Sequence, residues 1–90
     1  RPLDDASLRM SLLGDVSVLQ ARVRDILDRH CARIRPQTSA AFAPVNGSLE
    51  VTFGLLLRDP NRFEELRQEL TQQAGVSNVA LTVHHDEWEM

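Results

Sequence analysis

The stretch SLEVTFGLLLRDPNRFEELRQELTQQAGVSNVALTVH, residues 48–84, runs through three periodicities in succession. From Ser48 to Arg58 the apolar residues Leu49, Val51, Phe53, Leu55 and Leu57 fall on alternate positions, the pattern of a strand with one buried face. Leu56 lies on the opposite side and predicts that this second face is partly covered too. From Asn61 to Ala74 the spacing changes to three and four, with Phe63, Leu66 and Leu70 forming one helical stripe. Asp59-Pro60 stops the strand and opens the helix, because proline is tolerated in a first helical turn. Asn61 with Glu64 has the spacing of an N-terminal capping box, and Gly75 suits the C-terminal cap. Over Asn78–His84, Val79, Leu81 and Val83 alternate again. The unit is strand, helix, strand.

The first half repeats it. Leu8, Met10 and Leu12 alternate with Arg9 and Ser11 over Ser7–Gly14, and Phe53 is expected to fill the centre of the sheet–helix interface. Gly14 breaks the strand, and Asp15 or Ser17 caps a helix over Val16–Cys31. Its stripe is Leu19, Val23, Ile26, Leu27 and His30, while Arg22, Arg24, Asp25 and Asp28 face water. Pro36 and Pro44 bracket a weaker strand around Gln37–Phe42, with Thr38, Ala40 and Phe42 inward; a strand touching proline belongs at a sheet edge. Asn46-Gly47 is a strong hairpin signal. The doubled unit predicts one α+β domain over residues 1–90: a ferredoxin-like βαββαβ sandwich, a four-stranded antiparallel sheet with two helices on one face. Strands one and three are central. The other face carries Arg9, Ser11, Glu50, Thr52, Gly54, Ala80 and Thr82, small and polar, and is open to solvent, a ligand or a symmetry mate.

Composition narrows the role. The chain has 90 residues and a net charge of -3, with acids spread along it, which argues against nucleic acid, whose phosphates demand clustered positive charge. All ten basic residues are Arg, the mark of a GC-rich bacterial genome. Cys31 is the only cysteine, so no intramolecular disulfide forms; it reads as a buried or half-buried thiol. No apolar run has the length of a membrane span, and no signal peptide is visible. The chain begins at Arg1, which predicts a domain cut from a longer protein, whose other parts would hold any membrane segments or catalytic groups.

Chemistry-bearing motifs are scarce. His84-His85-Asp86-Glu87 mimics a metal cluster, but neighbours on a strand point to opposite faces. His30-Cys31 has no second ligand at zinc spacing. Strand one lacks the aromatics on which an RNA-binding sheet stacks bases. Gly14–Arg24 lacks the glycine-rich anion cradle of an acylphosphatase. No catalytic residue, metal ligand or cofactor site is therefore expected. Trp88 either folds back on a sheet edge or anchors a partner. The remaining candidate is the turn Gly14, Asp15, Val16 and Ser17, where a glycine, an acid and a helix start coincide; backbone N–H groups there suit an anion or carboxylate ligand.

At these residues the chain resembles the ACT-type regulatory domains, which carry an acid, a Pro-Gly pair and a leucine entering the first helix. Asp15 and Leu19 take the outer parts, with Val16-Ser17-Val18 between them. Leu55-Leu56-Leu57-Arg58-Asp59, the following helix, and Ala74-Gly75-Val76-Ser77-Asn78-Val79 are similar to the cytosolic C-terminal domains of MgtC/SapB-type and related small bacterial membrane proteins. The resemblance implies a cytosolic, non-catalytic regulatory or assembly domain. The expected partner is a second copy, met through the strand between Pro36 and Pro44 or through the open sheet face. The competing expectation is a small-molecule sensor using the Gly14–Ser17 turn.

Overall fold

A computed structural model describes residues 4–43 and 48–84, with backbone alone for 38–43. The elements are β1 (Ala6–Leu12), α1 (Val16–His30), β2 (Cys31–Ala43), β3 (Ser48–Leu57), a 3-10 turn at Pro60–Arg62, α2 (Phe63–Thr71) and β4 (Val76–Val83). The strands form one antiparallel sheet in the order β2-β3-β1-β4. The two strands with the densest apolar alternation are thus the central ones, because each has a neighbour on both sides. The expected Asn46-Gly47 hairpin, the side chains of Thr38, Ala40 and Phe42, and the tail from His85 through Trp88 lie outside the described residues.

Register explains the core. Leu8 faces Phe53, Met10 faces Val51 and Leu12 faces Leu49, so the even side of β1 and the odd side of β3 share one face. Onto it α1 lays Leu19, Val23, Ile26 and Leu27, and α2 lays Leu66 and Leu70, all in one buried cluster. Each large apolar side chain buried this way contributes about 1.5–3 kcal/mol. Phe53 is an exception to expectation. It is only half-buried and packs against the rim of the cluster, while Leu8, Met10, Leu12 and Leu55 fill the centre.

Four element ends differ from the sequence pattern, three for a tertiary reason and one, the cap before α2, for a local one. β2 begins at Cys31, directly after α1, and not near Gln37. Ala and Arg in CARIR favour helix locally, but Arg58 N–H donates to the His30 carbonyl at 2.9 Å, so the β3 ladder captures the chain as it leaves the helix. The expected capping box at Asn61 and Glu64 does not form. Asp59 accepts from Asn61 N–H at 3.1 Å and caps the 3-10 turn, while Glu64 binds Arg67 and α2 has no side-chain cap. Pro60 at the first position moves the cap one turn earlier. α2 ends at Thr71, because the chain must turn at Gly75, where φ is +89°, to bring Val76 beside Leu12. Finally, β4 starts at Val76. Asn78, at φ +54°, makes a bulge where the register slips between Arg9 and Ser11. Val76 and Val79 therefore both turn inward although three residues apart, which hides Val76 from a period-two reading.

Cys31 is buried at 3% exposure. Burial pushes its thiol up from 9.0 to about 11, reinforced by the Asp5 carboxylate, opposed by the Arg58 guanidinium and reinforced again by Asp28. The native state keeps this proton where the unfolded chain has lost it. Its contribution is therefore intact below about pH 9 and is lost as pH rises towards 11. The chain has no Lys and no Tyr, so no other side chain titrates in that window. Urea unfolding should show stability falling by about 2 kcal/mol between those limits, and Cys31→Ala should flatten this part of the profile. An unchanged slope in the variant would refute the assignment.

Candidate functional site

The turn between β1 and α1 brings Gly14, Asp15, Val16 and Ser17 together at a helix start. Gly14 adopts φ +122°, a conformation that only glycine enters without strain. Asp15 is the N-cap: its carboxylate accepts from Val18 N–H at 3.4 Å, and its carbonyl accepts from Leu19 N–H at 2.9 Å. Val16 is half-buried against the core, while Gly14, Asp15 and Ser17 are exposed. The turn is pinned from behind. Leu13 N–H donates to the Gly75 carbonyl at 2.8 Å, and a Cβ built on Gly75 would lie 2.7 Å from the Leu13 carbonyl oxygen.

These contacts change what the turn offers. The Asp15 carboxylate sits at the helix start, where an anionic ligand would otherwise be held, and satisfies a donor that such a ligand would need. The four residues lie together at this turn, with the Asp15 carboxylate engaged as the cap of α1.

Two other surfaces emerge that no sequence pattern marks, because each joins residues from separate elements, and a third lies on the open sheet face that strand alternation already marks. A cleft of about 250 Å³ lies between α1 and the sheet, lined by Leu12, Val23, Val51 and Phe53, with Gln20 and Arg24 at its mouth. A larger groove of about 710 Å³ runs beside β4 and the start of α2, lined by Pro60, Phe63, Leu81 and Val83, with Asp5 and His84 at one end. The open sheet face holds a shallow depression over Ser7, Thr52, Ala80 and Thr82. Across this face Arg9 pairs with Glu50 at 3.4 Å. Asp4 pairs with Arg35 and lies over Gly54, where a Cβ would come within 2.5 Å of its Oδ2. Gly54 is thereby the residue that lets the Asp4 carboxylate reach the sheet.

Three further reactive side chains are engaged in holding the fold. The Asp5 carboxylate accepts from Leu57 N–H at 2.9 Å. His84 Nε2 hydrogen-bonds Ser7 Oγ at 2.9 Å. His30 Nε2–H donates to Glu69 at 2.9 Å and ties the end of α1 to α2. Among the described residues, no three His, Cys, Asp or Glu side chains gather closely enough to hold a metal ion. Among the same residues, no helix is long and apolar enough to cross a membrane. No family model and no curated protein matches the chain.

Proposed function

We propose that the chain is a ferredoxin-like βαββαβ domain, both helices on one face, acting as a non-catalytic regulatory and oligomerisation module in the cytosolic part of a bacterial membrane protein. The sheet carries this reading. β2 and β4 each have one strand neighbour, so each presents a row of backbone donors and acceptors that another strand can satisfy. The face away from the core cluster is built of short side chains, Ser7, Thr52, Ala80 and Thr82, with paired charges between them. The carboxylates and imidazoles that chemistry would require serve as caps and ties, which favours assembly over catalysis. The resemblance of Asp15 and Leu19 to the ACT-type pattern supports the regulatory part, and that of Leu55–Asp59 and Ala74–Val79 supports the membrane-protein parent.

The test is the mass of the purified chain by light scattering, together with its thermal midpoint as a function of its own concentration. The expected result is twice the chain mass at micromolar concentration and a midpoint that rises with concentration. A strictly monomeric particle with a concentration-independent midpoint would overturn the reading. One observation favours a second reading, a small-molecule sensor: Gly14, Asp15 and Ser17 stand exposed together at the start of α1. A metabolite that raises the midpoint, with no such rise after Asp15→Ala, would favour the sensor.

A further inference from the structure

We infer that self-association runs through β4, paired antiparallel with β4 of a second copy about a two-fold axis at Leu81. This rests on the self-association reading above and adds the edge, the register and the partner.

The two edges differ in chemistry. The described part of β2 carries Arg33, Arg35 and Pro36; against its own copy it would oppose cations, and proline supplies no donor. β4 reads VSNVALTV, with no charge and no proline. Its first residues are distorted by the Asn78 bulge, which leaves Val79–Val83 as the regular part.

The hydrogen-bond phase then selects a register. His84 N–H donates to the Asp5 carbonyl at 2.9 Å. In an antiparallel ladder the N–H and C=O of one residue point the same way and alternate along the strand. His84, Thr82 and Ala80 therefore address β1, and Val83, Leu81 and Val79 address the space beyond the sheet. That outward row is symmetric about Leu81. Placing Leu81 on a two-fold sets Val79 opposite Val83 of the second copy, and every outward N–H meets a carbonyl.

Side chains agree with the same register. Val79, Leu81 and Val83 are half-buried on the helix side, so apolar meets apolar across the axis. Ala80 and Thr82 are exposed on the open face and stand opposite each other, small and uncharged. The groove formed by Phe63, Leu81 and Val83 beside this edge is covered in the same step. Sliding the register by two residues in one direction brings the Asn78 bulge into the ladder. A closed two-fold is the commonest solution for self-pairing surfaces.

A charge swap tests this. Ala80→Lys/Thr82→Lys and Ala80→Glu/Thr82→Glu each set like charges opposite one another across the axis without touching the core. The wild-type chain should scatter as a dimer and each double variant as a monomer, with half the mass. An equimolar mixture of the two variants should recover the dimer, which also shows that both are folded. A monomeric wild type would overturn the self-association reading itself. A dimeric wild type whose double variants both remain dimeric would preserve that reading and overturn the assignment to β4. Monomeric variants that do not recover on mixing would overturn the Leu81-centred register.

Discussion

Leu8→Ala should lower the free energy of unfolding by about 3–4 kcal/mol, the largest loss expected from any single truncation in this chain. Leu8 is fully buried in β1, with Phe53 of β3 and Leu81 of β4 on either side and the helices above. Removing its branched end leaves a hole that central strands, held by ladders on both edges, cannot close. A domain of this size holds about 5–15 kcal/mol in total, so a loss of this size consumes a large share of it. Phe53→Ala removes a bigger side chain but should cost only about 1–2 kcal/mol, because its ring is already half in water and the space it leaves opens to solvent. Urea unfolding of both variants decides the matter. A Phe53→Ala loss exceeding that of Leu8→Ala would show that the centre of the core is misplaced.

Gly75→Ala should cost about 2–4 kcal/mol, although it adds one methyl group. Two effects combine. An L-residue at φ +89° is strained, and the new Cβ would lie 2.7 Å from the Leu13 carbonyl oxygen and 2.9 Å from Leu19 Cδ1. Backbone cannot swing aside as a side-chain end can, and the Leu13–Gly75 hydrogen bond holds the two segments at that distance. Gly14→Ala supplies the control. Its φ of +122° is also unfavourable, but a Cβ there meets only Leu19 Cδ1 at 4.0 Å. Its cost should be the strain alone, about 1 kcal/mol. Equal losses at the two glycines would mean that the Leu13 backbone yields. Gly75→Ala should also displace the turn at Gly14–Ser17, visible as amide shifts at Val16 and Val18.

Some of this architecture can be read directly from residue order. β1 and β3 are legible because they are central: each has a covered face, so Leu8, Met10 and Leu12, or Val51, Leu55 and Leu57, report burial by alternation alone. α1 is legible for the same reason at helical spacing, and Asp15 is recognisable as its cap because a short carboxylate reaching Val18 N–H is a local matter. The candidate turn is visible as a place, yet its pinning by Gly75 is not, since Gly75 lies far along the chain. The groove beside β4 and the cleft under α1 were invisible, being assembled from elements that only folding brings together.

Strand and helix periods follow from how the backbone directs successive side chains, a property of a few neighbouring residues; the α+β composition and the identity of the central strands are therefore already present in the order of amino acids. Where β2 takes over from α1, where β4 bulges at Asn78, and which row of N–H groups faces outward at Val79, Leu81 and Val83 are settled by hydrogen bonds to β1 and β3. Those bonds join residues distant in the chain, and their energy outweighs the weak local preferences of CARIR and VSNV.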